Sequence, residues 1–499
     1  MADFPILTAI IGCALAAMVL TVVIPGRMAK LIKVVNAICA LASVVLSVVL
    51  WVLYDPNTPG FQFVESMPWV PHFGIQYQVG VDGISVLLTM LTALVFFTGV
   101  LTMWHLDENN RAKEYFAFMA LLVVGVFGVF LSLDLFAFFF FYEVAVLPMY
   151  PLIIIWGSTD KEYAGMKLMI YLMGGSALLF PALVGLYYAA GVDSWSILEM
   201  SKATIDTETQ VFLFPFLFIG FGILAGMFPF HSWSPAGHVA APTAVSMLHA
   251  GVLMKLGAYG ILRVAMTLLP EGAVAWLEPF AILATFNIVY GAFVAMKQTD
   301  FKYVIGFSSV SHMGIVLLGL CTLGHDGVNG AVFQMFAHGV MTALFFSAVG
   351  FIYEQTHDRD IRHFGGLLRR VEKFLMETEE PADPDAAGVI VGVERADLHL
   401  QRRRAIALRG WHMNHDRFEQ VTHVAGFDIK SVRSPALLGG GINHGKIQGR
   451  VVSVKGDQQI KHLGVELGSS GVGCREDFPA RAMLRVVDSW EGGRDGCGR

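Results

Sequence analysis

Eleven times before Gly366 the sequence runs apolar for long enough to cross about 30 Å of hydrocarbon. The runs cover approximately residues 4–25, 31–53, 83–104, 115–132, 134–156, 167–190, 211–230, 242–266, 273–296, 303–323 and 328–353. Few folds are open to such a chain. Lipid offers no partner to a bare peptide group, so each crossing must be a helix or a strand of a closed barrel. A barrel strand would be about half as long and would alternate polar with apolar residues. These runs are rich in Leu, Phe, Val, Gly and Met throughout, so an all-α polytopic membrane protein is predicted. Charged residues make up only 15% of the 499, with a mean hydropathy of +0.61; a soluble domain carries about 25%. The first run lacks a basic leader and exceeds a signal-peptide core, so it is expected to be retained as a span. The bilayer is the expected surrounding, and no nucleic acid is expected as a partner.

Orientation follows from the basic residues, which gather in cytoplasmic loops. With the N-terminus outside, the inner side holds Arg27, Lys30, Lys33, Arg111, Lys113, Lys161, Lys167, Lys297, Lys302, Arg359 and Arg362, eleven of the fourteen Lys and Arg before residue 367. Lys202 falls outside, Arg263 at an outer helix end, and Lys255 inside a span. Five cysteines, Cys13, Cys39, Cys321, Cys474 and Cys497, show no paired spacing, so neither a disulfide framework nor a zinc or iron–sulfur site is indicated.

Ionisable groups at membrane depth are costly and usually pair, line a wet cavity or relay ions. The fifth run carries Glu143, followed by Pro148, which frees a backbone carbonyl and is expected to bend the helix. The eighth carries Lys255 with roughly ten residues of span on either side, too deep for easy snorkelling. His249 lies six residues earlier, about 120° away around a regular helix. Ser308 and His312 share a face of the tenth run at i, i+4, and Gln334, His338 and Thr342 form a stripe on the eleventh at i, i+4, i+8. A lone buried histidine can equally be a hydrogen-bonded packing residue, so His312 and His338 stay open on this ground. Together a Glu, a Lys and several His can hold and release protons. No nucleotide, metal or covalent-catalysis motif accompanies them, and ion translocation is the indicated function.

The stretches "FYEVAVLPMY", "PFHSWSPAGHVAAPTAVSMLHAGVLMKLGAYGILR", "KQTDFKYVIGFSSVSHMG" and "VFQMFAHGVMTALFFSAVGFIYE" resemble the chain M (subunit 4) family of NADH-quinone oxidoreductase, antiporter-like subunits of respiratory complex I. "VDGIS" at Val81–Ser85 resembles the same family, and the likeness covers about residues 1–366. It implies fourteen helices with two inverted repeats, each containing a broken helix. It also implies a proton path through Glu143, Lys255, His312 and His338, with His249 beside the lysine. Partners would be the neighbouring antiporter-like chains of the complex. NAD, FMN, iron–sulfur clusters and quinone would serve other subunits, with no redox centre and no metal in this chain. The expected location is a bacterial inner membrane. A subunit of a multisubunit Na⁺/H⁺ antiporter or of a membrane-bound hydrogenase shares these helices, and a truncated, non-pumping polypeptide is the third reading.

Two departures from the family stand out. The lysine that the family carries on the broken seventh helix falls at Leu224 here, and no Lys or Arg lies between Lys202 and Lys255. His249, His231 or Lys255 is the expected substitute partner of Glu143. Secondly, charge density triples after Gly366, with 36 Asp, Glu, Lys and Arg in 366 residues but 38 in the remaining 133. Residues 1–366 therefore read as an antiporter-like membrane domain. Residues 367–499 read as a non-membrane tail, expected from a frameshift or comparable sequence fault, with a cytoplasmic extension as the alternative. Within the tail "GGGINHGKIQGR" lacks the spacing of a phosphate loop, and His415, Glu419 and His423 are expected to carry no function.

Overall fold

The computed structural model describes residues 4–364. Among these, eleven helices are long and apolar enough to cross a membrane, as the runs predict; the expectations for residues 367–499 lie outside the described residues. In chain order the elements are α1 (Ile6–Val23), α2 (Ala29–Leu53), β1 (Gln62–Val70), β2 (Ile75–Val81), α3 (Gly83–Thr102), α4 (Ala112–Leu131), α5 (Leu135–Trp156), α6 (Lys161–Ala190), α7 (Thr207–Ala225), α8 (Trp233–Ala240), α9 (Thr243–Met266), α10 (Pro270–Lys297), α11 (Phe301–Cys321) and α12 (His325–Thr356).

Helix starts are written at the water boundaries by short carboxylates. Asp82 accepts from the Ile84 and Ser85 amides while Ser85 Oγ accepts from the Asp82 amide, a capping box that opens α3. Asp134, Asp206 and Asp300 cap α5, α7 and α11, each accepting from one amide of the first turn. Two interruptions matter for the site. Pro148 divides α5 into Leu135–Val146 and Met149–Trp156, as its position predicts. The seventh run was expected to continue to residue 230, but Gly226 takes a left-handed φ of 78° and ends α7 at Ala225. The chain then continues as the eight-residue half-helix α8, whose last carbonyls meet Ser158 and Arg359, a break that hydropathy alone does not mark.

α9 is the centre of the bundle. Of its most apolar window 94% is buried, against 28% for the windows of α2 and α10, which remain open to lipid. Loop contacts sort the helix ends into two sides. On one, Ser158 N donates to Ala240 O, Arg359 pairs with Asp300 and Lys33 Nζ donates to Trp104 O, so the loops predicted to be cytoplasmic do meet. On the other, β1 and β2 form an antiparallel hairpin in which Met67 faces Tyr77 and Val70 faces Ile75. Glu65 of β1 accepts from the Leu7 and Thr8 amides at the start of α1, and Gln76 N of β2 donates to Asp134 at the start of α5. The hairpin thus straps two helix N-termini on the face predicted to lie outside.

Candidate functional site

Lys255 lies in the middle of α9 and is fully buried. The helix around it is not regular. Residues His249–Leu253 and Ile261–Met266 make wider π turns, leaving Met254–Gly260 between them as α-helix. Across the first π turn Lys255 Nζ donates to the Ala250 carbonyl. Its other partner comes from α12: Nζ stands 2.7 Å from His338 Nδ1, with both groups buried. Two glycines bring the helices that close. A Cβ added to Gly339 would stand 2.7 Å from Gly251 O and would also run into Leu91, so only glycine fits there.

His338 hands the line to α11, where the His312 ring meets it edge-on at 5.2 Å between centroids and 84°. Thr342 Oγ1 donates back to His338 O at 2.7 Å. His338 and Thr342 are buried and Gln334 half-buried, so the stripe read from the sequence turns inward. His312 and Ser308 are both half-buried on α11.

On the α8 side of Lys255 a second pair of imidazoles packs ring to ring. The His249 and His238 rings lie 4.0 Å apart at 33°, closed above by Trp233 at 5.0 Å from His249 and below by Phe346 at 5.0 Å from His238. Neither ring makes a hydrogen bond within the described residues. His249 was expected at the site from the sequence; His238 was not singled out. Its signal was present in "PAGHVAAP", a histidine among small apolar residues just past the break that the resemblance implies in the seventh helix. Lys255, His338 and His312 thus stand in one line, with His249 and His238 as a second pair on α9 and α8.

Glu143 does not join it through the expected partners. Its Oε1 accepts from Ser176 Oγ of α6 at 2.5 Å, and none of His231, His249 and Lys255 bonds to it. Packing explains this. His249 turns toward Trp233 and His238, His231 lies against Phe228 and Tyr290, and Leu224 is a fully buried apolar side chain. Glu143 is half-buried, beside α6 rather than α9. At the C-terminal end of α9, Arg263 pairs with Asp82 at 2.6 Å and its Nε donates to Tyr259 Oη at 3.1 Å. Burial disfavours ionising Asp82, but the Arg263 guanidinium and the Ser85 donors outweigh it and hold the carboxyl below its ordinary value. Among the described residues no group of three His, Cys, Asp or Glu could hold a metal ion.

A broken helix beside a central helix carrying a buried lysine, flanked by imidazoles at membrane depth, defines an antiporter-like transmembrane subunit. Comparison agrees: residues 132–375 match the family described as NADH:quinone oxidoreductase/Mrp antiporter, TM. The NAD(P)H-quinone oxidoreductase chain 4 2 of Microcystis aeruginosa is 34% identical over 420 residues, 82% of this chain and 76% of its own length. NADH-quinone oxidoreductase subunit M of Rhodobacter capsulatus is 37% identical over 342 residues, 66% of each chain. In fold, a chain of respiratory complex I from Thermus thermophilus superposes with a TM-score of 0.65 at 24% identity, over 71% of this chain and 73% of that one. The chain spans about two thirds to three quarters of the length of the relatives it matches. It belongs to the antiporter-like subunits of the NADH:quinone oxidoreductase family, and it is a multi-pass membrane protein.

Proposed function

We propose that this chain is a proton-translocating subunit of an NADH:quinone oxidoreductase in a bacterial inner membrane. It would lie beside other antiporter-like chains of the complex. The reading rests first on one observation, the 2.7 Å contact between the buried Lys255 and His338. A lysine ammonium and a neutral imidazole at that distance can exchange a proton directly, because each group is donor in one state and acceptor in the other. His312 extends the line toward the face of α11, and His249 with His238 extends it toward the cytoplasm. Glu143, held by Ser176, serves as the charge partner at the subunit's edge. The oxidoreductase half of the reading is supported by the names of the relatives. NADH, FMN, iron–sulfur clusters and quinone belong to other subunits, and this chain binds none of them.

Inverted membrane vesicles carrying the assembled complex test both halves. NADH addition should acidify the lumen without added Na⁺, and Lys255→Ala should remove this chain's share while the complex still assembles. Acidification that requires Na⁺, or membranes in which this chain purifies without NADH oxidation, would refute the reading.

A further inference from the structure

Lys302 reads in the sequence as one more basic residue of a cytoplasmic loop. The structure buries it. It sits in the first turn of α11, and its Nζ donates to the Ala241 carbonyl, one residue past the end of α8, at 2.7 Å. The terminal carbonyls of that half-helix are already well supplied. Arg359 Nη1 donates to Val239 O at 3.1 Å, Ser158 N to Ala240 O at 2.8 Å, and Ser246 Oγ to His238 O at 2.9 Å and Ala241 O at 3.3 Å. The nearby carboxylate, Asp300, is bridged by Arg359 at 3.3 Å. Lys302 forms no ion pair within the described residues. Its ammonium rests on one carbonyl and the negative end of a short helix.

A buried cation held this lightly is a poor anchor, since desolvating it is expensive and a neutral donor or the Arg359 guanidinium serves the same carbonyls. It is well placed to carry a proton. Gly306 lies one turn along the same face of α11, and a Cβ there would stand 3.7 Å from the His238 ring at Cδ2. Lysine, unlike arginine, can give up its proton in a protein.

We propose that Lys302 is the cytoplasmic inlet of the proton path. It takes a proton from the inner face and passes it to the His238–His249 pair, which lies between it and Lys255. In each transfer one N–H bond forms and one breaks, and the net change is a single proton moved inward along the chain. Around Lys302 stand the Asp300–Arg359 bridge and the Ala241 carbonyl, and His238 lies against Gly306 one turn further along α11, so the cytoplasmic side is supplied while the path toward Lys255 leads to imidazole. This inference rests on the proposed function above.

The test compares Lys302→Arg, Lys302→Met and Lys255→Ala in vesicles carrying the whole complex, reading acidification per NADH oxidised. Arginine preserves charge and carbonyl bonding but holds its proton, so Lys302→Arg and Lys302→Met should both fall to the Lys255→Ala level at normal assembly. If Lys255→Ala is impaired and Lys302→Arg pumps as wild type, Lys302 is only a clamp on α8 and the inference is overturned alone. If Lys255→Ala pumps as wild type, the proposed function fails and the inlet with it.

Discussion

His338 Nδ1 and Lys255 Nζ, 83 residues apart in sequence, meet at 2.7 Å in the middle of the bundle. The contact joins two helices that each cross the membrane, so a proton held by one can pass to the other without leaving the protein. His338→Ala removes the acceptor and leaves Lys255 with the Ala250 carbonyl alone. A positioned acid–base group contributes about 100-fold or more to a proton-transfer step. Acidification attributable to this chain should therefore fall to background in His338→Ala. Assembly, checked by native electrophoresis, should persist.

The same contact can be broken at a distance. Gly339→Ala would push α12 away from Gly251 O and Leu91, at a cost of about 1–3 kcal/mol for overpacking. Pumping should drop although neither proton-carrying side chain has changed, and a modestly lowered unfolding temperature in detergent should accompany it. Unimpaired pumping would mean that the helices have room that their spacing denies.

Arg263 and Asp82 predict a pH dependence. Asp82 is held below its ordinary value, so the ionised carboxyl adds stability above about pH 4, near its unfolded pKa, and that stability disappears as pH falls through the lower folded value. Arg263→Ala leaves a largely buried carboxylate without its cation and should cost about 3 kcal/mol at neutral pH. Because burial without the cation raises the carboxyl's pKa in the variant, protonation relieves the penalty early, and thermal unfolding in detergent should show the gap between variant and wild type starting to narrow above about pH 4 and closing below it.

Glu143 offers a chemical handle. Its carboxyl is half-buried and held by Ser176 at 2.5 Å, with no ammonium or imidazole bonded to it among the described residues. A lipid-soluble carbodiimide should label this chain at Glu143, and Glu143→Gln should abolish the label on mass spectrometry of the digested spans. Ser176→Ala should raise the labelling rate by freeing the carboxyl. Labelling unchanged in both variants would place the reactive carboxyl elsewhere.

The spans were legible because a membrane crossing is a one-dimensional signal: enough apolar residues in a row. Pro148 marked the break in α5 for an equally local reason. The resemblance implied a break in the seventh helix, but the bounds of α8 were not legible, since Trp233–Ala240 mixes Ser, Pro, Gly and His in eight residues and its burial is conferred mainly by α11 and α6 around it. The hairpin β1–β2 was missed because its exposed strand Gln62–Val70 alternates weakly. At the site, Glu143, His249, Lys255, His312 and His338 could be picked out as charges and imidazoles where oil should be. Their pairing could not. Which histidine meets Lys255 depends on Gly251 facing Gly339 and on a π turn that shifts every later residue of α9, and both are tertiary facts. Lys302 was placed in a loop because basic residues at helix ends usually are solvated; only the fold carries it under α8.

Lys255→Ala, read as protons moved per NADH oxidised in sealed vesicles, bears most directly on whether protons travel through this buried set. The ratio should fall while NADH oxidation continues in the assembled complex. An unchanged ratio would contradict proton passage through Lys255.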